Sequence, residues 1–212
     1  MEKPKSLKAK NSLVIGSVLA ADALLFAAFS ALPNFNLQSA WTSGAASRAG
    51  LALLIPVIVL LLGSLIPSSA KAVLVFWRLR HALPGHRAFT DKTLSDPRIE
   101  RERLRKNVGA FPSDPSQQNA MWYRLFKKVE QEVSIEHVHG QFLLLRDLAS
   151  ISALLLAGCV LCWRVGLIFD WESLILGSIL GVQFLLAALS ARSQGQGLVN
   201  SVLALHGVKR RV

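Results

Sequence analysis

Apolar residues gather into four dense blocks, roughly Leu13–Leu32, Gly50–Ile66, Leu148–Phe169 and Ser173–Ala191, with more polar sequence between and around them. A bilayer core of about 30 Å takes about 20 helical residues at ~1.5 Å each. Each block is near that length. Lipid offers backbone amides no partner, so each is predicted to be a helix. The expected fold is therefore all-α: a polytopic membrane protein with four transmembrane helices (2+2) and a small helical cytoplasmic insert between spans 2 and 3. Along the chain this gives a basic N-terminus over 1–12, a transmembrane hairpin over 13–67, the insert over 68–146, a second hairpin over 147–191 and a basic tail over 192–212. Lysines followed by an apolar run also describe a secretory signal. The run here is longer than the ~7–15 residues of a signal core, and Asp22 interrupts it, so a retained anchor is expected.

The insert reads as helical. Residues 69–82, SAKAVLVFWRLRHA, carry apolar positions beside Lys71, Arg78 and Arg80, the pattern of a basic amphipathic helix or a kinked extension of the second span. Pro84-Gly85 marks a turn. Ser95-Asp96-Pro97 and Ser113-Asp114-Pro115 both spell a helix start, Asp as N-cap and Pro in the first turn. The second start leads into a stripe of Trp122, Leu125, Phe126, Val129 and Val133, and that helix is expected to run through Gly140 into the third span. So few apolar residues build no large independent core, so the insert should pack on the membrane or a partner. Beyond the fourth span, Gly195 and Gly197 are expected to break the helix and leave Leu198–Val208 lying on a surface.

Charge adds orientation. The 212-residue chain has a net charge of +11, and its 24 Lys and Arg are unevenly placed. Four precede the first block, 14 lie in 68–146 and four follow the last block, while Pro33–Ser47 and the Asp170-Trp171 turn have none. By the positive-inside rule both ends and the insert face the cytoplasm, in the plasma (inner) membrane. The same rule accounts for the basic surface without nucleic acid, since the insert itself is only +6, from 14 basic and 8 acidic residues.

Candidate chemistry is sparse. Asp22, Gln183 and Arg164 are polar residues within apolar blocks, where ionisable groups are costly. Counted from the inner ends, Asp22 and Gln183 fall at a similar depth of ~12–14 Å. A packing hydrogen bond between them and a proton or ion path through Asp22 are both open readings. Gly177 and Gly181, with Gly16 in the first block, have the small-residue spacing of close helix contacts, within one chain or in a homo-oligomer. Arg78, Arg80, Arg87 and Arg146 are the expected contacts to anionic lipid headgroups or a ligand. His137 and His139 stand about 200° apart on a helix, which is wrong for a metal pair. Cys159 and Cys162 lie inside an apolar block with no second pair, where thiols pack as small hydrophobes. No metal site and no cofactor are expected, and no P-loop, GxSxG, HExxH or GxGxxG is present.

The function expected is that of a non-enzymatic integral membrane protein. Its bundle self-associates, and its insert receives a cytoplasmic protein or small-molecule ligand to gate a pore or other effector. A membrane-interface enzyme acting on lipid headgroups would use His86, His139, Arg146 and Asp147 at the inner surface. A small transporter acting as a dimer is the third reading.

Overall fold

The structure, a computed structural model, describes the backbone of residues 7–31, 58–165 and 170–208, and most side chains within them. The expectations placed on Pro33–Ser47, on the first part of the second apolar block, on the Asp170-Trp171 side chains and on the lysines and arginines at either end lie outside the described residues. Among the described residues there are only helices and turns. In chain order these are α1 (Leu7–Ala31), α2 (Ile58–Leu65), α3 (Ser68–Phe76), a 3-10 turn (Pro84–Arg87), α4 (Asp91–Leu94), α5 (Arg101–Val108), α6 (Pro115–Val129), α7 (Val133–Arg164) and α8 (Asp170–Val208).

Two helices are long and apolar enough to cross a membrane, one over Val133–Leu161 and one over Leu174–Val208. Counting Ile58–Leu65 with Ser68–Phe76 as one broken span would make a third, and within α1 the described side chains form the shorter apolar stretch Asn11–Leu25. Four crossings are therefore more than the described residues display. At ~1.5 Å per residue, the 32 residues of α7 and the 39 of α8 extend ~48 and ~58 Å, well beyond a ~30 Å hydrocarbon layer. Each is longer than a crossing alone requires.

The chain divides into two compact units, Met1–Pro67 with Asp147–Ala187, and Ser68–Arg146 with Ala188–Val212. In the first unit, large apolar side chains such as Leu13, Leu24, Leu61, Leu65, Leu161, Leu174 and Leu186 are exposed, as suits a lipid-facing surface. The side chains turned inward include Ile15, Leu19, Val59, Ala149, Ser150, Ile151, Ser152, Leu176 and Ala187. A Cβ on Gly63 would stand 3.2 Å from Ile151 Cγ1, so the glycine lets α2 approach α7 closely.

The second unit is built like a soluble helical domain. Its core joins Leu94, Ile99, Leu104, Leu125, Phe126, Val129, Ile135 and Phe142 to Leu198, Val199, Val202 and Leu203 from the last part of α8. Two expectations fail here for one reason. Gly195 and Gly197 do not break the helix, and 198–208 is enclosed rather than laid on a surface. A glycine in a helix costs about 1 kcal/mol, whereas each buried Leu or Val contributes ~1.5–3 kcal/mol, so four of them outweigh two glycines. Gly195 is itself required, because a Cβ there would stand 3.0 Å from Phe76 Cζ and 3.1 Å from Phe142 Cε2. The apolar residues that the insert lacked are those of α8.

Local signals fared unevenly. Asp114 caps α6 as expected, its Oδ2 accepting from the Gln117 amide at 2.9 Å with Pro115 in the first turn. The identical spelling at Asp96-Pro97 starts no helix. There the carboxylate accepts from the Arg98 amide at 2.9 Å in a tight turn, and α5 begins only at Arg101. Gly109 closes α5 with φ +95°, a conformation suited to glycine. The helix expected through 116–146 is interrupted at 130–132, and Val133 is exposed while Ile135 takes the core position. From Val133 onward α7 is continuous through Gly140 and Arg146. The helix expected over 69–82 stops at Phe76, and Leu79 is almost fully exposed.

Candidate functional site

Two clusters of polar groups stand out, one in each unit. In the first unit, Gln183 on α8 reaches both other long elements. Its Nε2 donates to Asp22 Oδ2 of α1 at 3.1 Å and to Ser152 Oγ of α7 at 3.0 Å. One amide nitrogen carries two hydrogens, so both bonds form at once. Ser152 in turn donates its hydroxyl proton to the Leu148 carbonyl at 3.0 Å, which fixes its lone pairs toward the amide. Three helices are thereby pinned by one glutamine, half-buried among apolar neighbours where each missed bond is costly. Ser152, fully buried, was not singled out from the sequence; a serine pair, Ser150 and Ser152, inside an apolar block was the available signal.

The other polar residues expected in this unit stand apart from that cluster. Arg164 is exposed at the end of α7, its guanidinium 5.6 Å from the Trp163 ring centre. Gly16 and Gly181 have open space where a Cβ would be, and Gly177 has only Leu156 Cδ1 at 4.0 Å. Within the chain, among the described residues, no helix packs closely against these glycines.

In the second unit a polar ladder ties the 84–114 segment to α8. Asp96 Oδ2 accepts from Asn200 Nδ2 at 2.7 Å and from Arg98 Nη2 at 2.8 Å. Gln196 Nε2 donates to Asn200 Oδ1 at 3.1 Å and to Thr93 Oγ1 at 3.3 Å, and Thr93 donates to the Arg87 carbonyl at 2.7 Å. Hydrogen bonds from Arg98 hold the Asp96 carboxyl well below the usual carboxylate range, with Asn200 adding to the effect. Further along, Asn107 Nδ2 donates to the His206 carbonyl at 2.8 Å, and His206 Nε2 donates to the Leu125 carbonyl at 2.9 Å. These bonds are saturated by the protein itself, which is the chemistry of a clamp.

The residues assigned to an interfacial enzyme stand at separate places. His86 Nδ1 donates to the Pro115 carbonyl at 3.0 Å, and its ring stands 4.8 Å from that of His81. His139 packs edge-on against Phe126 at 5.1 Å, and Arg146 lies over the Phe142 ring at 5.9 Å. Asp147 belongs to the other unit. His137 shares a hydrogen bond with Gln141 at 3.0 Å, and among the described residues no three His, Cys, Asp or Glu side chains converge on a metal position.

The chain matches no known protein family, no curated protein and no solved structure. Function therefore has to be argued from its own residues.

Of the cations expected at headgroups, Arg78 and Arg80 lie in the loop after α3, beside Trp77. α3 ends where Arg192 of α8 donates through Nε to the Val75 carbonyl. The Arg192 guanidinium lies 3.5 Å from the Trp77 ring centre, close enough for a cation–π stack. Trp77 has φ +52° and His81 φ +51°, both left-handed positions that non-glycine residues rarely hold. Arg78 and Arg80 are exposed between them. Arg87 is half-buried, and its carbonyl serves the threonines above. The sequence places Arg192 only among the charges after the last span, because the helix that holds it was expected to break at Gly195 and Gly197 rather than run on to Val208.

Proposed function

We propose that this is a non-enzymatic integral membrane protein with four spans in a 2+2 arrangement. The second unit would then be a cytoplasmic receiver that acts on the membrane bundle. The observation that supports this reading is the make-up of α7 and α8. Each is unbroken, and each has an apolar part in the first unit and a packed part in the second. A partner or ligand that shifts the core around Val199 and Val202 would rotate or translate the same helix that carries Gln183. Gln183 holds Asp22, so the receiver would be coupled to the intramembrane carboxylate. In this reading Asp22 gates or lines a pore formed by self-association of the bundle, and both ends of the chain are cytoplasmic.

Topology is tested by cysteine accessibility in intact spheroplasts, with Cys159 and Cys162 first replaced by serine. A cysteine at Ser39 is expected to label from outside and one at Ser113 only after lysis; the reverse pattern overturns the orientation. The pathway role is tested in planar bilayers. Asp22→Asn keeps a hydrogen-bond partner for Gln183 while removing charge, and Asp22→Leu removes both. A conducting role predicts changed conductance in both variants; currents like the wild type's in both would leave Asp22 as a packing residue alone.

A further inference from the structure

The loop between α3 and the 3-10 turn has features that the protein interior does not explain. Five consecutive residues, Trp77-Arg78-Leu79-Arg80-His81, are all exposed, Leu79 at 90% and Trp77 at 54%. An isolated exposed leucine is ordinary, but a leucine and a tryptophan interleaved with two arginines are the chemistry of a lipid–water boundary. Backbone strain at Trp77 and His81 persists only where surrounding contacts over-determine it, and strained non-glycine positions concentrate at functional sites. At Trp77, Arg192 supplies the constraint, through its bond to the Val75 carbonyl and its stack on the indole, while His81 packs against His86.

Charge is the second observation. Arg78 adjoins Trp77, the residue on which Arg192 stacks. Among the described residues, neither these two nor Arg80 has a carboxylate partner. Arg192 Nη2 is enclosed and finds no hydrogen-bond acceptor among the described residues. Position in the chain is the third. Where the chain passes into the second unit, a cation stands on that side within five residues each time: Lys71 after Pro67, Arg146 before Asp147 and Arg192 after Ala187.

We propose that Trp77–His81 is a hook for anionic phospholipid, with Arg78 and Arg80 as ligands of the headgroup phosphate and Arg192 as the residue that positions them. Leu79 and the edge of Trp77 enter the acyl boundary, and the arginines stay at phosphate level. The inference deepens the membrane reading above and rests on it.

The test uses the full chain in mild detergent, titrated with phosphatidylglycerol and phosphatidylcholine and weighed by native mass spectrometry. Wild type is expected to retain phosphatidylglycerol preferentially. At ~1 kcal/mol per arginine near an anionic surface, Arg78→Gln and Arg80→Gln should each lower that preference about fivefold. Arg192→Lys keeps the charge but loses the planar stack and should also lower it, with the protease resistance of the second unit confirming that the fold persists. Equal retention of the two lipids by wild type, or full preference in the double glutamine variant, overturns the hook. Displacement of lipid by inorganic phosphate, beyond that by chloride at the same ionic strength, would make it a free-phosphate site and overturns the lipid assignment. Displacement by polyglutamate on the same terms would point to an acidic protein and overturns it likewise. Release of the protein from native membranes by alkaline carbonate would instead sink the membrane reading, leaving the hook without its premise.

Discussion

The two parts of α8 make an instructive pair. Both are apolar, both are helical and they belong to one uninterrupted element of 39 residues. In the first part Leu174, Val182, Leu185 and Leu186 are exposed, whereas Leu198, Val199, Val202 and Leu203 are buried. The surrounding chain makes the difference. The insert, 68–146, carries the other half of a core, while the first unit leaves its apolar faces uncovered. Hydrophobicity alone marks a residue as needing cover; it does not say whether protein or bilayer supplies it.

The sharpest way to break this comparison is to place a carboxylate in each part. Leu203→Asp should collapse the second unit, costing ~4 kcal/mol or more for a buried unpaired charge, and limited proteolysis should then cut within 68–146. Leu186→Asp should leave that resistance intact and instead hinder membrane integration by ~2.5–3.5 kcal/mol. Identical outcomes would abolish the distinction. Glycines offer a gentler version. Gly195→Leu drives a side chain into Phe76 and Phe142 and should cost ~1–3 kcal/mol in thermal stability of the second unit. Gly181→Ala has open space and should gain up to ~1 kcal/mol from helix propensity.

The clamp on α8 can be titrated. Since the folded-state pKa of Asp96 is depressed, its stabilising effect is complete above the ordinary carboxylate range near 3.9 and is lost as the pH falls below about 4 toward the folded value. Wild type and Asp96→Asn should therefore differ in melting temperature at pH 7, by an amount equivalent to ~1–2 kcal/mol, and converge in acid. A difference that grows in acid would mean that another group carries the effect. The smallest expected change is at the loop. His81→Gly removes a left-handed histidine and should alter stability by no more than about 0.5 kcal/mol, because lost strain is set against added freedom in the unfolded chain.

Legibility in the sequence followed the range of the physics. The third and fourth blocks announced long helices because twenty apolar residues have few other fates. Asp22 and Gln183 were matched by depth alone, and they share a hydrogen bond. The Asp114 cap was readable because every atom it needs lies within three residues. Asp96 shows the limit of that approach. Its local spelling is the same, but Arg98 and the distant Asn200 claim the carboxylate. The glycines of α8 were misjudged for a similar reason, since what keeps the helix whole is a core contributed by residues about a hundred positions earlier. Arg192 escaped notice because its stacking partner, Trp77, is 115 positions away.

The enclosure of 198–208 also sets an order of events in biosynthesis. The insert leaves the ribosome before α7 and α8, and its core stays open until the last part of α8 has been made. The apolar parts of α7 and α8 that belong to the first unit are therefore made while the insert is still unfinished. Completion of the second unit thus reports that everything before it has been synthesised, and a stalled chain would display Leu104, Ile135 and Phe126 to the cell's proteases.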